Sequence, residues 1–130
     1  MLIDAGIECK LNADPSLFVY CDKIRLQQVI TNIISNAAKY APNGPVDISV
    51  YREQNQAVIC LKDHGKGISK ELQKTMFELF SRGHESSYLP GLGIGLFISR
   101  NIINQHNGTL DVESEPGKGA SFLVRLPIIS

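Results

Sequence analysis

Two asparagines four residues apart, Asn32 and Asn36, stand in a stretch that is otherwise largely apolar. At 100° per residue, Gln28, Asn32, Asn36 and Lys39 fall in one stripe about 80° wide, with Arg25 inside it. A plain solvent face reads well enough for the charged positions alone. Asn is a poor helix former, however, and solvent faces more often carry Glu, Lys or Gln, so the amide pair points to a second use. An amide carbonyl is a hard oxygen ligand of the kind Mg²⁺ takes, with substrate phosphates completing the shell.

A second group is Asp63-His64-Gly65-Lys66-Gly67-Ile68, which follows an apolar run. A carboxylate at a strand end, with glycines around it, has little bulk nearby and can accept a hydrogen bond from an exocyclic amine such as that of adenine. The same glycines also read as a tight turn that needs positive φ. Third, Gly91-Leu92-Gly93-Ile94-Gly95-Leu96 opens a helical pattern. Free amides and the positive end of the helix dipole suit phosphate there, and glycines allow close approach to the backbone. The spacing is not a dinucleotide fingerprint, because the residue three after Gly95 is Ile98, and no Gly-x-x-x-x-Gly-Lys-Ser/Thr loop occurs. His64, His84 and His106 lack metal-ligand spacing with one another or with cysteines, and there is no Gly-x-Ser-x-Gly elbow.

The elements that must position these groups follow from periodicity. The first twenty residues read as irregular or short-strand material, with Leu17-Phe18-Val19-Tyr20 as a strand. Asp22 caps a helix running to about Ala41, with Leu26, Val29, Ile30, Ile33 and Ala37 on its buried side and Pro42 and Asn43-Gly44 stopping it. Strands are predicted over Val46 to Tyr51 and Ala57 to Lys62. Ser69 caps a helix carrying Leu72, Met76, Leu79 and Phe80, and residues 81–90, polar and without periodicity, form a loop. A third helix spans about Ile94 to Gln105, ending at Asn107-Gly108. Strands over Thr109 to Glu113 and Ala120 to Leu126 flank the turn at Glu115-Pro116-Gly117-Lys118-Gly119. Interspersed helices and strand pairs predict an α+β fold, a mixed-sheet α/β sandwich rather than a doubly wound parallel sheet.

Composition sets the outer bounds. With 130 residues the chain has room for one domain, residues 1–130, around one core. At 43% hydrophobic and 20% charged it is neither disordered nor fibrous. Thirteen basic and thirteen acidic residues cancel, which argues against a non-specific grip on nucleic acid or anionic lipid. No run approaches the ~18 apolar residues of a membrane span, and no signal-peptide pattern opens the chain. Cys9, Cys21 and Cys60 contain no Cys-x-x-Cys pair and suit reduced thiols in a cytoplasmic setting, with Cys60 as a small core residue. Nine of the eleven glycines lie from Gly65 to Gly119, and that clustering has to be explained by the site.

Taken in order, these segments resemble the catalytic ATP-binding domain of bacterial sensor histidine kinases, of the Bergerat-fold ATPase superfamily. Residues Asp22 to Tyr40 look like the N box, Asp63-x-Gly65-x-Gly67-Ile68 the G1 box, and Met76-Phe77-Glu78-Leu79-Phe80-Ser81-Arg82 the F box. The segment Gly91 to Leu96 matches the G2 box, and Gly117-Lys118-Gly119-Ala120-Ser121-Phe122 the closing glycine motif. The resemblance spans roughly residues 14–128. It implies one mostly antiparallel sheet of about five strands with about three helices on one face.

It also implies roles. Asn36 would coordinate Mg²⁺ on the ATP phosphates, supported by Asn32, and Lys39 and Arg82 would contact phosphates. Tyr40 would lie near the adenine or ribose, and Asp63 would bind the adenine amine in a pocket shaped by Gly65 and Gly67. The backbone at Leu92, Gly93, Ile94, Gly95 and Leu96 would cradle the phosphates, beneath a lid over residues 81–90 that includes His84. Ile68, Leu96 and Phe122 would be apolar walls, while Phe77 and Phe80 would anchor the lid's root. Where hydrolysing relatives carry a general-base Glu four residues before the magnesium Asn, this chain has Asn32, which cannot take a proton at neutral pH. That suits transfer of the γ-phosphate to an external histidine rather than to water.

In the family that histidine lies on a dimerising hairpin ahead of the ATP domain, in a context that His84-Glu85 does not reproduce. Met1 is therefore expected to begin a monomeric fragment of a longer kinase. Its partners would be ATP, the histidine-bearing dimerisation domain and, indirectly, a response regulator, with no nucleic acid or membrane contact. This domain would be cytoplasmic, whether or not its parent is anchored in a membrane. The alternatives within the superfamily are an anti-sigma-type serine kinase and an ATP-gated binding module.

Overall fold

A computed structural model describes residues 9–13, 19, 21–40, 44–78 and 92–128, with backbone alone at 9–13, 38–40 and 92–94. The chain runs β1 (Cys9–Ala13), α1 (Lys23–Tyr40), β2 (Val46–Glu53), β3 (Gln56–Lys62), α2 (Lys70–Thr75), α3 (Leu92–Gln105), β4 (Thr109–Ser114) and β5 (Ala120–Pro127). The strands form one sheet in the order β1-β2-β3-β5-β4. Only the β1–β2 pair is parallel; the others are antiparallel. The α+β class and the mostly antiparallel five-stranded sheet agree with the expectation from sequence.

Period-two alternation decides the two faces of the sheet. The row Ile48, Leu61, Phe122 and Val112 faces the helices, and the first three are buried. The adjacent row, Asp47, Lys62, Ser121 and Glu113, faces the other way and is polar. Against the apolar face lie Val29, Ile33, Ile34 and Ala37 of α1 and Leu96, Ile102 and Ile103 of α3. Burial on α1 begins only at Val29, because Lys23, Ile24, Arg25, Gln27 and Gln28 are exposed. The helix is thus less enclosed at its start than its apolar count suggests.

Its first turn is held as predicted. The Asp22 carboxylate accepts from the amides of Ile24 (3.0 Å) and Arg25 (3.2 Å), the N-cap arrangement. The Asp22 amide donates to His106 Nε2 at 2.9 Å, and His106 Nδ1 lies 2.7 Å from the Ile102 carbonyl. The start of α1 is thereby tied to the end of α3. Ser69 caps α2 by accepting from the Leu72 amide, but α2 has six residues and Met76 already closes it.

One predicted element is displaced. The first strand is Cys9–Ala13, and Val19 belongs to no strand; the rest of the run at 17–20 lies outside the described residues. The four apolar residues there carry strand propensity, whereas Cys-Lys-Leu-Asn-Ala carries little. Pairing in register with β2, Cys9 with Val46 through Ala13 with Val50, decides the matter instead.

Candidate nucleotide site

Three backbone junctions carry the residues that the sequence singles out. The first is the seam between α1 and α3. Asn32 is half-buried, and its amide nitrogen donates to Ser99 Oγ at 3.1 Å and to the Gly95 carbonyl at 3.4 Å. Gly95 lies close enough that a Cβ there would sit 3.7 Å from Asn32 Cγ. Ser99 is completely buried, and Asn32 gives its hydroxyl a hydrogen-bond partner there. Sequence reasoning joined Asn32 to Asn36 and missed Ser99, although a serine four residues after Gly95 in an apolar helix marks the same helix face.

One turn beyond Asn32, Asn36 is 4% exposed. Its amide nitrogen has no hydrogen-bond partner among the described residues, the only such buried side-chain atom found there. A buried, unpartnered N–H donor costs about 1–3 kcal/mol unless an acceptor such as a phosphate oxygen completes it, while the carbonyl oxygen of the same amide is a hard ligand of the kind a cation takes. The missing partner therefore fits a phosphate contact, and the residue type fits magnesium through Oδ1. The backbone of Lys39 and Tyr40 continues α1, but their side chains lie outside the description, as does all of Arg82, His84, Phe80 and the segment 81–90.

The second junction is the end of β3. Asp63 is 3% exposed, and its Oδ1 accepts from Gly65 N at 3.0 Å and Ala120 N at 3.1 Å. Its own amide donates to the Ala120 carbonyl at 2.9 Å, which extends the β3–β5 ladder by one rung. Among the described residues every bond to this carboxylate falls on Oδ1, so Oδ2 is left for a ligand. His64 turns away and pairs with Asp47 at 2.7 Å on the exposed surface.

The glycine loop after Asp63 and the turn after β4 are fitted into each other. Gly67 has φ +83° and Gly119 φ +74°. A Cβ at Gly67 would run into the Glu115 carbonyl, and one at Gly119 into that of Asp63. Gly117 N donates to the Lys66 carbonyl at 2.6 Å. Ser114 and Gln73, neither singled out by the sequence, bond to both main-chain groups of Ile68. Ile68, Leu96 and Phe122 are each 2% exposed within one core cluster, so they back the site from behind.

The third junction is the start of α3, where helical backbone begins at Leu92 and runs through Gly93, Ile94 and Gly95. No acidic residue occupies its first turn, so no carboxylate within that turn opposes the positive end of the helix. Arg100, further along α3, donates to the Leu110 carbonyl (3.1 and 3.0 Å) and stacks 3.9 Å over the Phe77 ring. Phe77 in turn meets Phe122 edge-on at 6.4 Å. The end of α2, where the F box begins, is therefore fixed to α3 and β5 through a cation–aromatic stack that sequence reasoning had not identified.

A nucleotide-binding α+β layer is what this geometry defines, and the chain belongs to the histidine kinase-, DNA gyrase B- and HSP90-like ATPase family, which matches residues 21–130. Within it, the chain is an ATP-binding catalytic domain of the sensor histidine kinase kind. It is similar to the sensor protein SrrB of Staphylococcus aureus, with 36% identity over 95% of this chain and 22% of that protein. The chain thus spans about a fifth of the length of that relative. Among solved structures it is similar to full-length ShkA in complex with AMPPNP, with a TM-score of 0.81 and 26% identity over 98% of this chain and 27% of that one. It is also similar to the mycobacterial sensor histidine kinase MprB, with a TM-score of 0.79 and 29% identity over 94% of this chain and 84% of that one.

Proposed function

We propose that this chain, residues 1–130 as one catalytic domain, binds Mg·ATP and donates the γ-phosphate to a histidine on a separate dimerisation domain. The observation that carries the reading is the pair of asparagines on α1. Asn36 is buried with its amide nitrogen unpartnered among the described residues, and Asn32 is bonded to α3. Nothing at position 32 can act as a base to activate water, so positioning and charge neutralisation remain as the means of catalysis.

In this reading Asp63 receives the adenine amine on Oδ2 while Gly65 N and Ala120 N hold Oδ1, fixing the carboxylate plane. Gly65 and Gly67 shape the pocket, with Ile68, Leu96 and Phe122 behind it. Amides from Leu92, Gly93, Ile94 and Gly95 donate to the phosphates, and Lys39, Tyr40 and Arg82 contribute charge and packing. Asn36 would hold Mg²⁺, which neutralises phosphate charge when bound. Asn32 acts by tying α1, which carries Asn36, to Gly95 on the phosphate-binding helix. The AMPPNP complex of ShkA supports the nucleotide. The sensor histidine kinase MprB among the similar structures supports a histidine as acceptor, and a response regulator downstream is what a two-component reading adds.

Incubation with γ-labelled ATP and a histidine-bearing dimerisation hairpin tests the reading. Acid-labile label on the hairpin, with little release of phosphate by the chain alone, is the expected result. Vigorous hydrolysis without the hairpin would overturn it in favour of an ATPase, and acid-stable label in favour of a serine kinase.

A further inference from the structure

Ile68 follows the glycine loop, and neither of its main-chain groups is satisfied by a strand. Its amide donates to Ser114 Oγ at 2.8 Å, and its carbonyl accepts from Gln73 Nε2 at 2.7 Å. Ser114 Oγ in turn donates to the Gly119 carbonyl at 2.6 Å. The second hydrogen of Gln73 Nε2 goes to the Ser114 carbonyl at 3.0 Å. These four bonds close a ring joining the first turn of α2, the loop after β3 and the turn between β4 and β5. Both main-chain groups of Ile68, the Ser114 hydroxyl and the Gln73 amide nitrogen are paired in it, and such a connected, partly buried network favours one arrangement.

The ring lies next to the carboxylate that the proposed function assigns to adenine. Asp63 takes its second Oδ1 bond from Ala120 N, the residue after Gly119, whose carbonyl Ser114 holds. The loop that begins at Asp63 ends at Ile68, whose amide Ser114 also holds. One hydroxyl therefore fixes both the residue that follows the loop and the residue that precedes the carboxylate's backbone donor. The oxygen left for a base, Oδ2, is aimed by that clamp. Serine suits the position because a hydroxyl both accepts and donates, and an alanine would leave the Ile68 amide and the Gly119 carbonyl each short of a partner.

We propose that Ser114 and Gln73 are positioning residues for base recognition, setting the orientation of the Asp63 carboxylate and hence the preference for a purine with an exocyclic amine. The proposal rests on the nucleotide reading above. Its consequence is that loss of the clamp degrades selectivity as well as affinity. Inosine triphosphate carries a carbonyl where adenosine triphosphate carries the amine, so the ratio of the two affinities reports how the carboxylate is aimed.

The test is equilibrium binding of both nucleotides, with magnesium, to the whole chain and to Ser114→Ala, Ser114→Thr and Gln73→Ala. The unaltered chain is expected to prefer the adenine nucleotide. Ser114→Ala and Gln73→Ala are expected to weaken that nucleotide about tenfold, the equilibrium cost of about one net hydrogen bond, while changing the inosine nucleotide little. Ser114→Thr, which keeps the hydroxyl, is expected to restore the ratio. Equal weakening of both nucleotides in the alanine variants, or no weakening of either, overturns the clamp while leaving the nucleotide reading intact. If Ser114→Ala does not fold, Gln73→Ala decides by the same ratio. An unaltered chain that binds neither nucleotide overturns both proposals.

Discussion

At the scale of single residues, the amide at position 32 is where sequence and structure say different things. By type and spacing, Asn32 reads as a companion of Asn36, whereas its amide is bonded to Ser99 and Gly95 across the α1–α3 seam. A pairwise bond of this kind is invisible to helical periodicity, which orders residues within one helix only. It predicts that Asn32→Ala and Ser99→Ala are not additive. A double-mutant cycle on denaturant midpoints should return a coupling of about 0.5–1.5 kcal/mol, and simple additivity would contradict the bond.

Cys60 was legible as a thiol in an apolar strand, but it points away from the helices, in the row of Ser49 and Leu123. Burial, with a smaller contribution from Glu113, pushes its pKa above the ordinary 9.0, and a hydrogen bond from Ser121 opposes this. Burial, followed by Cys60 and Glu53, likewise raises Tyr51 above its ordinary 10.0. Both groups favour the neutral form in the folded chain. Their contribution is therefore complete below the ordinary values and is lost as pH rises through the raised ones. The melting temperature should fall above pH 9.0, and Cys60→Ala should shrink that fall. A flat profile up to pH 11, roughly two units above an unperturbed thiol, would contradict it.

At the scale of elements, the glycines separate into those that need space and those that need only conformation. Gly117 has φ +82° with open space around it, whereas Gly119 has φ +74° and the Asp63 carbonyl against it. Gly117→Ala should cost about 1–2 kcal/mol, the left-handed penalty alone. Gly119→Ala adds overpacking and should cost at least about 3 kcal/mol. Thermal or urea unfolding of both variants checks the order, and equal costs would contradict the close approach.

The same distinction revises the end of α3. The sequence Asn107-Gly108 marks a helix stop, but Asn107 takes the positive φ, +62°. Gly108 is needed because a Cβ there would meet the Arg125 carbonyl. Turn residues locate an end reliably, yet which of two does what depends on the strand passing beside them. The β1 strand was illegible for a related reason, since its pairing with β2 lies in neither strand's own sequence.

At the scale of the whole molecule, the order of helices and strands was readable because polarity alternates over the first five residues of β2 and because caps such as Asp22 and Ser69 bound the helices. The site was readable wherever glycine, Asp and Asn sit at fixed spacing, since those residues act on the backbone or on ligands. It was not readable at Ser99, Gln73, Ser114 and Arg100. Their partners come from 5 to 67 residues away, and only the folded chain brings them together. Among the described residues the Asn36 amide nitrogen is the one buried side-chain polar atom without a partner, and the proposed function reserves that side chain for the magnesium–phosphate group.

The central claim is that Asn36 is that reserved group, and calorimetric titration of ATP with and without magnesium, on the chain and on Asn36→Ala, tests it most directly. The unaltered chain should bind at least about tenfold more tightly with the metal, and the variant, folded as judged by an unchanged unfolding transition, should lose that gain. Retention of the full magnesium-dependent gain by Asn36→Ala would contradict the account.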